Sequence, residues 1–165
     1  MIHRAARLVV PAVEAPVPFR PVTRPPRIRK AVAYVVRDDR LLVFRHRDTD
    51  VAVAGVQVPA GTIREGEDPA DAVLREALEE TGLAALKVVR ALGTDDYDVR
   101  PGRYEVHERH FFQLTTVQPT EDEWLWFEAH DGLAEPTAFV CSWIPLHRAH
   151  VLAAGFGARI GAMSD

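Results

Sequence analysis

Apolar residues run almost unbroken from Lys30 to Arg37 (Lys-Ala-Val-Ala-Tyr-Val-Val-Arg). Asp38-Asp39 interrupts them, and a second apolar run follows from Leu41 to Arg47. Two β-prone runs around a two-residue acidic break predict a hairpin. Thr49 to Val58 reads as loop plus a short strand, punctuated by Gly55. The period then changes. From Asp68 to Thr81, Val73, Leu74, Ala77 and Leu78 recur at helical spacing, which predicts a helix with these four residues toward the core. Its boundaries are marked: Asp68 as N-cap, Pro69 at the first helical position, Asp71 in the first turn, and Gly82 just past the end. Strand patterns return at Leu86–Leu92 and, after a loop around Asp95-Asp96 and across Pro101-Gly102, at Glu105–Thr116. Further strands are predicted at Trp124–Ala129 and Phe139–Leu146, with a closing helix from Leu146 to Phe156. No internal repeat is visible. The order predicts an α+β fold with a mixed sheet between helices.

The chain's 165 residues fit one domain, and at 47% hydrophobic it can bury a substantial core. Its net charge of −4 argues against a general binder of nucleic-acid polymers, which would carry a basic stripe. Small phosphate-bearing substrates stay open, because a bound divalent ion supplies local positive charge. The one cysteine, Cys141, excludes an intrachain disulfide and sits in an apolar stretch, so it reads as a buried structural thiol. No apolar run approaches the ~18 residues of a membrane span. Pro11, Pro16 and Pro18 break the N-terminal apolar residues before a signal-peptide core forms, so a cytoplasmic protein is expected. Residues 1–29 also carry Pro21, Pro25 and Pro26 and read as an extended arm ahead of a domain over 30–165. The cations Arg24, Arg27, Arg29 and Lys30 read as a solvated face, with phosphate or partner contact as the alternative.

The chemistry concentrates on the predicted helix. Glu76, Glu79 and Glu80 stand at i, i+3 and i+4 and share a face, with the apolar residues assigned to the opposite side. Three carboxylates that close repel one another, and a hard divalent cation removes the repulsion. Mg²⁺ prefers such oxygen ligands together with water and substrate phosphate. Arg75 is placed to pin a carboxylate, and Gly61 marks a point where backbone comes close to metal or phosphate. The carbonyl of Ala60 is a candidate ligand, and Glu67 is expected to reach the site or brace Arg75. The bland alternative is a solvated acidic helix face with ordinary ion pairs.

The segment resembles the Nudix box: Gly61, five residues, Glu67, seven residues, Arg75-Glu76, two residues, Glu79-Glu80, one residue, Gly82-Leu83. Its one departure is Ala77, where a bulkier aliphatic residue is usual. The resemblance extends over about residues 30–150. It implies an α/β/α sandwich and hydrolysis of a small-molecule diphosphate, a nucleoside diphosphate linked to another moiety. It also implies Glu76, Glu79 and Glu80 as ligands of Mg²⁺, with Mn²⁺ as the alternative ion. The chemistry is then attack by a metal-activated water on phosphorus, with a carboxylate as base. A further acid from a later strand is expected among Glu105, Glu108, Glu121, Asp122 and Glu123, with Glu108 preferred. His107 and His110 are expected at the surface or in packing. Arg45, Arg47 or Arg64 could reach the phosphates. Trp124, Trp126 and Phe127 are core, subunit contact or a stacking surface for a base, with Trp126 the substrate candidate.

The markers for particular substrates are absent, which leaves nucleoside triphosphates, modified nucleotides, nucleotide sugars and non-nucleotide diphosphates. A binding module of the same fold that has lost catalysis would show broken carboxylates, and these are intact. A diphosphate isomerase of related fold would need a catalytic cysteine, which Cys141 does not fit. The arm and the Trp124/Trp126 pair are compatible with a homodimer.

Overall fold

The computed structural model of the protein describes residues 24–129 and 134–163. Most of the expected proline-rich arm, residues 1–23, lies outside them. Strand β1 (Arg27–Arg37) opens three residues earlier than the apolar pattern indicates, because its polar start pairs with β5 (Val106–Thr116) from Arg27 onward. Ala31 to Val35 are all 0% exposed, so β1 is covered on both faces, the condition under which a strand reads as an unbroken apolar run. β1 turns into β2 (Arg40–His46) through Asp38 and Asp39, whose φ values of 49° and 56° are the left-handed pair of a tight hairpin turn.

The sheet order is β4-β5-β1-β2-β7-β6, where β4 is Leu86–Asp98, β6 is Glu123–Glu128 and β7 is Thr137–Pro145. β1 and β5 are parallel and the other pairs antiparallel. The short β3 (Ala60–Thr62) pairs with the first half of β1, matching Lys30 to Thr62 and Ala31 to Gly61. Helix α2 (Pro69–Thr81) lies on one side of this mixed sheet and packs with Ala31, Ala33 and Val35; the one-turn α1 (Val51–Ala54) precedes β3. On the other side Val32 and Tyr34 pack with Ala149, Leu152 and Phe156 of the C-terminal segment. The expected α+β class and layered arrangement hold. Among the described residues no helix is long and apolar enough to cross a membrane.

Three local expectations change. The 49–58 segment holds the turn of helix α1, capped by the Asp50 side chain, before Gln57 bridges to Phe44. No loop forms at Asp95-Asp96. β4 runs through both, with two register shifts, because Asp95 pairs with Arg159 and Asp96 with Arg27. The expected closing helix is a 3₁₀ stretch, Leu146–Val151, followed by turns. Ala154 and Gly155 there have φ of 51° and 72°, and successive left-handed residues end a right-handed helix. The segment is held instead by Tyr34, whose hydroxyl donates to the Phe156 carbonyl, and by Arg109, whose guanidinium lies between the Tyr97 and Phe156 rings.

Candidate active site

Helix α2 starts and stops where its sequence directs. The Asp68 side chain accepts from the Ala70 N–H, Pro69 needs no donor there, and Gly82 takes the left-handed C-cap with φ 76°. The last carbonyls of a helix lack intrahelical partners, and here the sheet supplies them. Trp126 Nε1 donates to the Glu79 carbonyl at 2.8 Å, Trp124 Nε1 to that of Thr81 at 2.9 Å, and Cys141 Sγ lies 3.7 Å from that of Glu80. The Trp126 ring also lies over Gly82: a Cβ there would come within 2.5 Å of it. Strands β6 and β7 thereby fix the rotation of α2.

That rotation departs from the expected amphipathic division. The buried residues of α2 are Ala72, Val73, Glu76, Ala77, Glu80 and Thr81. Glu76 and Glu80 thus share the buried stripe instead of standing opposite it, whereas Leu78 is 43% exposed. The two acids sit where the stripe meets a cavity of about 660 Å³ lined by α2, β3 and the end of β6. Glu76 fits because residue 61 is glycine: a Cβ on Gly61 would fall 1.8 Å from the Glu76 carboxyl carbon. Glu80 accepts from the Ala60 N–H at 2.8 Å, which ties β3 to the acids, and Ala60, whose carbonyl is the expected ligand, lines the cavity.

Arg75 organises the cluster. It donates to both carboxylate oxygens of Glu67 (2.8 and 2.9 Å), to Glu76 at 2.8 Å, to Glu79 at 3.2 Å and to the Thr62 carbonyl at 3.0 Å. Glu67 is the brace: Arg75 first, and the Arg64 N–H second, hold its carboxyl down to about 2. It does not line the cavity. Burial pushes Glu76 above the ordinary carboxylate range against its bond to Arg75, with Glu79 and Glu128 adding to the rise. Burial pushes Glu80 further, opposed by the Ala60 amide and reinforced by Glu128, Glu76 and Glu79. Charge is costly here without a counter-ion, and a hard divalent cation is the partner that oxygen donors of this kind accept. Among the described residues no three His, Cys, Asp or Glu side chains already converge at ligating distance, and Arg75 holds one oxygen each of Glu76 and Glu79.

Of the other candidates, Arg64 and Trp126 line the cavity, and Arg64 stands 3.8 Å from Glu79. Arg45 does not: it sits on β2 beside Glu123, 3.9 Å away. Arg47 pairs with Asp48 and lies over the Phe127 ring. Glu108 is likewise outside the cavity, held by Arg27 and by His110 at 3.1 and 2.9 Å. Glu105 pairs with His107, and Asp122 with Arg40. Among the described residues, the later-strand acid that lines the cavity is Glu128, at the end of β6, two residues from Trp126 and on the same face of the strand. That alternation was the available signal. Lys30, grouped with the solvated cations on sequence, is partly buried and lines the cavity. Cys141 is the expected inert thiol, pushed by burial up to about 12.

The family model described as NUDIX domain matches residues 27–161. An RNA pyrophosphohydrolase of Dinoroseobacter shibae is 31% identical over 142 residues, covering 73% of this chain and 84% of that protein. Two solved structures share the fold. A MutT protein from Methanosarcina mazei Go1 superposes with a TM-score of 0.62 at 17% identity, covering 87% of this chain and 99% of that one. A UDP-X diphosphatase superposes with a TM-score of 0.59 at 18% identity, covering 83% of this chain and 61% of that one.

Proposed function

The chain belongs to the Nudix family and is a Nudix pyrophosphohydrolase, and from that premise we propose that it cleaves a diphosphate linkage in a nucleotide with a divalent ion, Mg²⁺ or Mn²⁺, held by Glu76, Glu79, Glu80 and Glu128. The observation that carries this is the pair of acids, Glu76 and Glu80, seated in the buried stripe of α2 and open to the cavity. An ion held there would offset the charge on the diphosphate and make a nearby water acidic enough to attack phosphorus. Arg75, braced by Glu67, holds one oxygen each of Glu76 and Glu79 before substrate arrives, and drawing the acids together around the ion is the reorganisation that remains. Glu128 lines the cavity from β6 and completes the ligand set, taking the place of Glu108, the later acid expected on sequence as base or ligand. Arg64 reaches toward the phosphates, and Trp126 offers a ring edge to the base. The cytoplasm is the location this chemistry suits.

A second reading follows from the relative named an RNA pyrophosphohydrolase: the substrate is a triphosphorylated RNA 5′ end. The net charge of −4 disfavours a groove that tracks a polymer, but one terminal nucleotide entering the cavity needs no such groove.

Phosphate and diphosphate release should be measured for nucleoside triphosphates, nucleotide sugars and a 5′-triphosphorylated RNA, with Mg²⁺ and with chelator. Wild-type turnover that needs the ion and falls at least about 100-fold in Glu79→Gln or Glu80→Gln supports the reading. A folded protein that binds nucleotide but turns over none of them would refute it.

A further inference from the structure

Among the described residues three cations line the cavity, and their donors are committed differently. Arg75 is bound to Glu67, Glu76, Glu79 and the Thr62 carbonyl, and Arg64 is drawn toward Glu79. Lys30 has one acceptor among the described residues, Thr62 Oγ1 at 2.7 Å. An ammonium has three donors, so two are left to a ligand. Its backbone is held in the sheet. Lys30 precedes the fully buried Ala31–Val35 stretch of the central strand, and its register partner across β3 is the same Thr62. Its ammonium is partly desolvated and lies in the field of Glu76, Glu105, Arg103 and Glu80. A divalent ion that neutralises the acids would leave that cation facing the phosphates.

The cavity is also polarised. Lys30 and Arg64 come from the β1–β3 side, and Trp126, Phe127 and Glu128 from β6, three strands away in sheet order, with the acids of α2 in the same cavity. A substrate that satisfies both sides has a phosphate end and an aromatic end, with the scissile linkage over the acids.

Resting on the proposed hydrolysis, we infer that Lys30 is a specificity-determining residue that grips a free terminal phosphate, so that the enzyme prefers substrates ending in a phosphomonoester, such as a 5′-triphosphate, over diphosphates capped by a sugar. A terminal phosphate carries close to two negative charges near neutral pH, whereas a capped phosphodiester carries one. A partly desolvated cation discriminates between them by charge. One charge-assisted hydrogen bond corresponds to roughly a 10- to 100-fold preference.

The test compares kcat/KM of wild type, Lys30→Met and Lys30→Arg on ATP and on UDP-glucose, with Mg²⁺. The wild type should prefer ATP. Lys30→Met should lose at least about tenfold more on ATP than on UDP-glucose, mainly through KM, and Lys30→Arg should recover most of that difference. Equal losses on the two substrates, or none, would overturn the inference and leave the hydrolase assignment standing. If the wild type turns over neither, the hydrolase reading has failed on these probes. The Lys30 inference is then decided by calorimetric binding of the β,γ-methylene analogue of ATP. Affinity at least about tenfold weaker in Lys30→Met supports it, and equal affinity overturns it.

Discussion

Gly61 and Glu76 occupy one space. The glycine leaves room for the carboxylate, and the missing Cβ is the reason the acid lies flat against β3. Gly61→Ala should keep the fold and lose about 100-fold in kcat, since a carboxylate displaced by about an ångström no longer meets its partner. A circular dichroism spectrum alongside the rate separates misplacement from unfolding. Glu67 makes a different residue-level prediction. Its carboxyl is held from an ordinary 4.5 down to about 2 by Arg75 and the Arg64 amide. A carboxyl depressed in the folded state contributes stability that is fully present above its unfolded value and lost as pH falls through its folded one. Glu67→Gln should therefore flatten the stability curve between about pH 4.5 and 2, measured by urea unfolding across that range. An unchanged slope would show that the Arg75 contact does not bear on folding.

At the level of elements, helix α2 trades stability for chemistry. Two acids occupy positions its packing would give to apolar residues, and both are pushed toward the neutral form by burial. Without divalent ion, Glu80→Gln should raise the melting temperature at neutral pH, by roughly 2–4 °C for each kcal/mol of desolvation and repulsion relieved, while abolishing turnover. A fall in melting temperature would mean that the Glu80 bond to the Ala60 amide outweighs its desolvation. The helix is also held at its C-terminus from outside. Gly82→Ala places a methyl within 2.5 Å of the Trp126 ring at a left-handed φ, and should cost about 1–3 kcal/mol in chemical denaturation. The caps of α2 were legible because Asp68, Pro69 and Gly82 act locally. Its rotation was not, because the indoles of Trp124 and Trp126, donated from β6, decide which stripe is buried. Counting apolar residues placed Leu78 inside and the glutamates outside, and the structure exposes Leu78 while burying Glu76 and Glu80.

For the whole molecule, the sequence showed the family and the acids of α2 because the box is one continuous segment with fixed spacing. The rest of the site is assembled across the sheet. Glu128 reaches it from the last strand pair, and Lys30 from the first strand beside β3. Neither has a local motif, and Glu108, with a better-looking neighbourhood in sequence, is drawn off by Arg27 and His110. The C-terminal layer was misread for a related reason. Its apolar spacing serves contacts with Tyr34 and Arg109 across the sheet, not a helix of its own.

The central claim is that these scattered carboxylates form one divalent-ion site. Calorimetric titration of the ion-free protein with Mn²⁺ tests it most directly, comparing wild type with Glu80→Gln, Glu128→Gln and Glu108→Gln. The account predicts saturable binding weakened at least about tenfold in the first two variants and retained in the third. Binding that survives loss of Glu80 and Glu128, or that is lost with Glu108, would contradict it.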